Sequence, residues 1–275
     1  MSQRLDGLSG IHIELTNRCN KNCWMCGCRQ MERENPDIAF IPGDMEFSLL
    51  ETIAAQLPPY VVTQLHNNGE PLLYPRFKDA VQLFQANRNI VNIVTNGKLL
   101  LEKADDIVDV LDTMSISIFE KDDEAEKQFE VIEKFFAIKN DRKPFTSLRL
   151  IGNVDANRYR KFNAMIIRRV LRSPMGTFDF RVLKPTIPEI GICMDFLTHP
   201  AINIHGDLSV CVNLDPHGLG ILGNIRHISL RDMWYGEKRM QWLQSHMEGR
   251  RNDVPLCATC DYWGVPTGYE PEQAD

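Results

Sequence analysis

The chain has 275 residues, 43% of them apolar and 25% charged, which is enough for one large α/β domain and a small appendage. Its 31 basic and 37 acidic residues give a net charge of −6 with no Lys/Arg block, which argues against a phosphate-tracking surface and so against a nucleic-acid partner. No apolar run approaches the roughly 18 residues of a membrane span. The opening MSQRLDGLSG has no signal-peptide core, so a soluble, cytoplasmic protein is expected.

Short β-branched runs alternate with stretches of helical period along most of the chain. Strands are predicted over residues 11–15, 61–65, 90–94, 114–118, 147–151 and 178–183. Between them Leu50, Ile53, Ala54 and Leu57 form one helical face, Phe77, Ala80, Val81 and Phe84 a second, Phe129, Ile132 and Phe136 a third, and Phe162, Met165 and Ile166 a fourth. Six such units with right-handed crossovers give a parallel sheet covered by helices on its outer side, either open or curled into a partial (β/α)6 barrel. Ligands of such folds bind at the carboxyl ends of the strands, where His66 to Pro71 and Thr95 to Gly97 fall. The acidic segment 121–127 reads as the exposed start of a helix. After Pro185 the rhythm stops, which divides the chain into a core over 1–185, an appendage over 186–265 and a flexible tail over 266–275.

The eight cysteines fall in two groups, Cys19, Cys23, Cys26 and Cys28, then Cys193, Cys211, Cys257 and Cys260. In a reducing compartment such clusters bind metal or carry out redox chemistry. Cys19, Cys23 and Cys26 make a CxxxCxxC loop directly after the first strand. Three thiolates can each bind one iron of a cubane, leaving the fourth iron open to a chelating ligand. Zinc is the alternative, but it wants four ligands and would crowd Cys28 into the same ten-residue loop. Cys28 is otherwise surplus and reads as a partly buried thiol, with a redox or hydrogen-donor role as the other reading.

This loop, its place after strand one and the Asn68-Gly69-Glu70-Pro71 turn after strand two resemble the radical S-adenosylmethionine (SAM) superfamily over nearly the whole chain. The resemblance implies a [4Fe-4S] cluster whose open iron binds SAM, reductive cleavage to a 5′-deoxyadenosyl radical, and hydrogen abstraction from a substrate. It also implies an electron donor such as flavodoxin or ferredoxin. Residues 68–71 resemble the GGEP motif that meets the SAM amino group, glycine allowing close approach and Asn68 tolerating positive φ in place of the first glycine. Met25, with Trp24 one earlier, stands where relatives carry an aromatic residue near the adenine. Asn96, Gly97 and Ser115 or Ser117 resemble positions reaching the SAM ribose and carboxylate; the plainer reading is a turn and a polar interior. Ser115 and Ser117 share one strand face, expected to be the barrel interior.

The Cys193, Cys211, Cys257 and Cys260 set, with the segments 222–225 and 229–234, resembles the SPASM extension, in its shorter twitch form with one auxiliary [4Fe-4S] cluster. Four thiolates satisfy all four irons, so this cluster is expected to carry electrons, with a structural zinc site as the alternative. Trp234 reads as core packing. Similar length and arrangement occur in a family dehydrogenase acting on an aminocyclitol, so the leading expectation is two-electron oxidation of a small, polar, sugar- or cyclitol-like substrate. Epimerisation with Cys28 as hydrogen donor and modification of a ribosomal peptide are the alternatives. Against the latter, the first strand begins by residue 11 with no peptide-recognition domain before it. A non-enzymatic iron-sulfur electron carrier with a degenerate SAM site is the further alternative, opposed by the intact motifs. Candidate substrate contacts are His66, also the candidate base, Arg149, Arg181 and Lys184; Arg149 and Arg181 lie inside apolar runs and could equally form rim salt bridges.

Overall fold

Alternating apolar and polar residues in the strands decide which way each strand faces, and the resulting sheet buries one side and keeps the other polar. The computed structural model describes residues 4–169, 192–258 and 260. β1 (Gly10–Ile13), β2 (Val62–Gln64), β3 (Ile90–Thr95), β4 (Thr113–Phe119), β5 (Phe145–Ile151) and β6 (Met165–Arg169) pair in parallel, each with the next. β7 (Ala201–Ile202) joins the free side of β1 in parallel, and β8 (Asp207–Ser209) and β9 (Ile221–Asn224) follow as an antiparallel meander. The nine strands run β6-β5-β4-β3-β2-β1-β7-β8-β9 in one sheet.

The helices are α1 (Gly27–Glu34), α2 (Phe47–Gln56), α3 (Phe77–Ala86), α4 (Ala104–Ile107), α5 (Ala125–Lys139), α6 (Met194–Thr198), α7 (Leu230–Trp234) and α8 (Glu237–Met247). Ile11, Ile13, Val91, Ile93, Met114, Ile116, Leu148 and Leu150 are buried in one core with Leu50 and Ile53 of α2, Phe77 and Phe84 of α3, and Ile132 and Phe135 of α5. Side chains alternate across a strand. The opposite face therefore carries His12, Gln64, Asn92, Ser115, Ser117, Ser147 and Arg149, aligned across the ladder as His12↔Gln64↔Asn92 and Ser117↔Arg149. Ser115 and Ser147 also pair through their hydroxyls at 2.7 Å. A polar inner face with an apolar outer one is the arrangement of a partial α/β barrel that holds a polar ligand.

Five predicted strands form where expected, with ends moved by one or two residues. The sixth, over 178–183, lies outside the described residues, as do the boundary near 186 and the tail. The predicted helix around Phe162, Met165 and Ile166 is a correction. Met165 begins β6, whose backbone satisfies the open edge of β5 from Ser147↔Met165 to Ile151↔Arg169, and a 3₁₀ turn, Asn157–Tyr159, supplies the helical part of the connection. Phe162 instead stacks on Phe136 of α5, with ring centroids 4.9 Å apart. Three residues at helical spacing were too short a pattern to outweigh strand pairing.

Among the described residues no helix is long and apolar enough to cross a membrane. Trp234 at the end of α7 is 1% exposed and belongs to the main core. Its indole N–H donates to the Asp6 carbonyl at 3.0 Å, and the Arg239 guanidinium lies 3.6 Å over its ring. The C-terminal region is thus fastened to the N-terminal segment at Asp6, whose carbonyl takes Trp234 and whose N–H donates to the Tyr235 hydroxyl at 2.8 Å. Trp234→Ala is expected to destabilise the fold by about 3–5 kcal/mol, measured by urea unfolding; a loss under about 1 kcal/mol would contradict this packing account.

Candidate active site at the carboxyl ends of the strands

The cysteine loop between β1 and α1 has no core of its own and is held by its neighbours. Asn17 accepts from Gly43 N at 2.7 Å and donates to the Ile41 carbonyl at 2.9 Å, while Arg18 pairs with Asp44. From the next strand, Glu70 N donates to the Arg18 carbonyl at 2.8 Å. A Cβ on Gly69 would lie 2.2 Å from the Thr16 carbonyl oxygen and 2.7 Å from that of Arg18, so only glycine lets the two chains lie this close. Lys21, inside the CxxxCxxC loop, is buried and reaches Asp122 at 2.5 Å and Glu124 at 4.0 Å, and Glu124 also takes Lys98 at 2.8 Å. The segment 121–127, expected as a solvated face, thus supplies the anion that buries Lys21.

Cys19, Cys23 and Cys26 are partly exposed and lie within electrostatic reach of one another. Burial pushes the Cys23 thiol up to about 12 and raises Cys19, whereas a hydrogen bond from Cys28 holds Cys26 below the usual thiol range and raises Cys28 in turn. Three soft sulfur donors on one loop, two of them raised by burial and Cys26 already inclined to the thiolate, suit an iron-sulfur group. A cavity of about 400 Å³ lies beside them, lined by Cys23, Trp24, Met25, Phe119 and Lys98 among others. A second, of about 430 Å³, opens at Cys19, Arg29 and Arg33.

The predicted SAM-contact residues divide by what their side chains already do. Glu70 is 2% exposed; its carboxylate accepts from Thr95 Oγ1 at 2.8 Å, Leu72 N at 3.2 Å and Asn96 N at 2.7 Å. Burial raises its pKa to about 7. Its carboxylate faces protein donors and joins the ends of β2 and β3, so the contact expected of the 68–71 turn is left to its backbone groups. Pro71 is buried at the start of a 3₁₀ turn, Pro71–Leu73. Asn96 donates through Nδ2 to Asn20 Oδ1 at 2.8 Å and to Cys19 Sγ at 3.7 Å, and accepts from Lys98 N at 2.9 Å, so it grips the cysteine loop. Gly97 takes φ +82°, and Ser117 is buried on the inner face. Asn68 gives both its backbone N–H (3.1 Å) and its side-chain amide (2.9 Å) to Glu14 Oε1. Sequence reasoning missed Glu14; the available signal was a charged residue inside the run 11–15 expected as the first strand, the same signal that marked Arg149.

Deeper on the inner face, His12 and His66 meet edge to face with ring centroids 4.9 Å apart. His12 Nδ1 donates to the His66 carbonyl at 3.2 Å, and His66 Nδ1 accepts from Val94 N at 3.1 Å. His66 is therefore neutral, with its one proton on Nε2. Burial, reinforced by His12 and Arg149, keeps its pKa well below 6.5, and His12 falls to about 3 by burial, His199 and Arg149. His66 as a general base is corrected: one ring nitrogen is occupied and the other is a donor. Arg149 shares this face, and Arg181 and Lys184 lie outside the described residues.

Cys193, Cys211 and Cys257 of the second group pack with a small apolar cluster of Phe196, Val210, Val254 and Leu256. Cys193, Cys211, Cys257 and Cys260 interact electrostatically, and burial pushes Cys193 up to about 11, Cys257 up to about 12 and Cys211 upward as well. Four sulfur donors, three of them raised by burial, again suit a cationic cluster core. His246, buried and stacked on Phe196, accepts from Cys193 N at 3.4 Å.

Two outcomes follow from this geometry. Reconstituted Gly69→Ala is expected to lose about half its iron, because the added methyl displaces residues 16–18; a full iron count would show that the cysteine loop does not depend on this contact. His12 and His66 resist protonation in the fold but titrate near 6.5 when unfolded. Stability therefore falls as pH drops below 6.5, by at most about 1.4 kcal/mol per pH unit per histidine. Urea unfolding at pH 7 and pH 5 should show a smaller loss for His12→Asn than for wild type, and equal losses would contradict the shift.

Comparison with known proteins agrees with this geometry. Residues 13–152, half of the chain, match the radical SAM superfamily, and residues 193–261 match an iron-sulfur cluster-binding domain, SPASM. An S-adenosyl-L-methionine-dependent 2-deoxy-scyllo-inosamine dehydrogenase of Niallia circulans is 24% identical over 270 residues, 94% of this chain and 95% of its own. A tungsten-containing aldehyde ferredoxin oxidoreductase cofactor-modifying protein of Pyrococcus furiosus is 32% identical over 96 residues, 34% of this chain and only 25% of that protein's length. The crystal structure of BtrN in complex with AdoMet and 2-DOIA superposes with a TM-score of 0.60 at 19% identity, covering 95% of this chain and 97% of that one. The chain belongs to the radical SAM superfamily, whose members use a [4Fe-4S] cluster with S-adenosylmethionine, and carries a SPASM iron-sulfur domain after the core.

Proposed function

We propose that this enzyme abstracts a hydrogen atom from a small polar, sugar- or cyclitol-like substrate and completes a two-electron oxidation of an alcohol carbon to a carbonyl. The observation that carries the reading is the second cysteine group: four mutually interacting thiols, enough to ligate every iron of one cubane, on a domain whose β7 extends the sheet at β1. A fully ligated centre has no open iron for a substrate and is suited to taking an electron. Similarity to a cyclitol dehydrogenase along almost the whole chain supports the substrate class.

Cys19, Cys23 and Cys26 would hold the SAM-binding cluster, and Cys193, Cys211, Cys257 and Cys260 the auxiliary one. When bound, the first cluster with SAM supplies a carbon-centred radical and the second supplies an electron acceptor. The chain's own residues bind and orient. The 68–71 turn presents backbone groups to the SAM amino group. Met25, beside Trp24 and Phe119, forms a wall suited to a purine. Ser117 and Arg149, adjacent across β4 and β5, and the His66 Nε2–H offer donors to substrate hydroxyls. His12, its Nδ1–H spent on the His66 carbonyl, keeps an acceptor lone pair on Nε2, while burial leaves it too weak a base to retain a proton. A flavodoxin or ferredoxin is the class of donor that would reduce the first cluster. Epimerisation through Cys28 is less well supported, since that thiol is turned to Cys26.

Anaerobic reconstitution tests the whole reading. Wild type should hold about eight irons, and a Cys19/Cys23/Cys26 triple alanine variant about four with no 5′-deoxyadenosine formed on reduction. A Cys257/Cys260 double alanine variant should still cleave SAM yet give no product lighter by two hydrogens from a cyclitol and hexose panel. If that variant oxidises substrate at the wild-type rate, the auxiliary site is not the acceptor. A product of unchanged mass carrying solvent deuterium would indicate epimerisation, and turnover of peptides alone would overturn the substrate class.

A further inference from the structure

Glu14 is the one acidic side chain of the β1 segment, set between the buried Ile13 and Leu15 and only 3% exposed. Its two oxygens are divided between two parts of the molecule. Oε1 takes both donors of Asn68, at 3.1 Å and 2.9 Å, and Oε2 takes Ile204 N at 3.3 Å. Its own N–H donates to the Ile202 carbonyl at 2.9 Å, on the same C-terminal strand.

Ile204 sits in the tight turn between β7 and β8. That turn is closed by Gly206 N donating to the Asn203 carbonyl at 2.9 Å and by Asn203 Oδ1 accepting from His205 N and Asp207 N at 3.0 Å and 2.9 Å. β8 then leads within two residues to Cys211. The carboxylate, Asn68, Asp207 and Cys211 all border one narrow cleft of about 80 Å³ between core and iron-sulfur domain. A buried carboxylate is costly unless its lone pairs are filled, and here filling them requires both parts to be in place at once.

We propose that Glu14 is a positioning residue that locks the turn at Asn68 to the first hairpin of the iron-sulfur domain, so that SAM affinity and the order of the turn before Cys211 depend on one carboxylate. It rests on the assignment of the 68–71 turn to SAM. The contact is selective for a carboxylate. In Glu14→Gln one oxygen still serves Asn68, but the amide NH2 is turned against the Ile204 N–H, donor against donor.

Hydrogen exchange and SAM binding on the reconstituted holoenzyme test it. Glu14→Gln should raise the SAM Kd about tenfold and speed amide exchange over residues 203–206 by a similar factor, with wild-type iron content. Asn68→Ala should also speed exchange over 203–206, on the far side of the domain boundary. The double variant should show no more than the larger single effect on either measure, because both act through one contact. Unchanged exchange at 203–206 in these variants, or losses of SAM affinity that multiply, would overturn the proposal. Should Glu14→Gln fail to fold, Asn68→Ala alone decides through the exchange at 203–206. A wild-type protein that binds no SAM would defeat the assignment of the turn, while the exchange measurements would still decide the lock.

Discussion

The close passage of the Gly69 backbone over the carbonyls of Thr16 and Arg18 is the contact on which the rest of the site depends. A loop carrying three cysteines in eight residues is polar, short of regular structure and expensive to order. Parallel strands deliver their following loops to one rim, so the loops can brace one another there. Gly69 brings the second loop onto the first, and Glu70 N fixes it at the Arg18 carbonyl. The Glu70 carboxylate ties in the third through Asn96 N, and Asn96 returns to Asn20 and Cys19. Lys21 reaches across to the loop after β4. Four strand ends thus converge on one cysteine loop, and a side chain at position 69 would force the first of these contacts apart.

The same rim shows how this fold handles buried charge. Lys21 meets Asp122 almost out of contact with water, an arrangement that adds little net stability yet is costly to break from one side. Glu14 and Glu70 are solvated by N–H groups, several of them from backbone amides. Each of these charges spans two loops or two domains, so each specifies a relative position. The histidine pair follows a different rule. Stacked edge to face beneath the rim, it is kept uncharged, and its ring nitrogens are assigned by backbone partners.

Much of this was legible in the sequence, because what was legible depends on local pattern. Five strands and three helical faces follow from the alternation of apolar residues, and the two sites from cysteine spacing alone. β6 was misread because three apolar residues at helical spacing also suit an edge strand, and the choice was made by the open edge of β5, a partner remote in sequence. The segment 121–127 was read as a solvated face because nothing local reveals that Lys21, about a hundred residues earlier, needs an anion there. His66 was assigned as a base from its ordinary pKa, which could not foresee that Val94 N–H would occupy Nδ1. In each case the missing information was the identity of a distant hydrogen-bond partner.

The register of the sheet carries a consequence for how the two cysteine groups are arranged. β7 pairs with β1 at His12↔Ala201, and β8 returns antiparallel with Ala201↔Ser209, so Ser209 stands level with His12. Two residues further on, Cys211 has moved toward the level of Gly10, away from the end of β1 that leads into the CxxxCxxC loop. Cys211 is therefore offset along the strand direction from the end of β1, with the level of His12 between them. Because β1, β7 and β8 share one hydrogen-bonded ladder, that offset is set by backbone pairing and not by a hinge between domains. On the proposed reading, a substrate held on the inner face near His12 and His66 would meet a frame whose spacing is set by that ladder before the substrate arrives.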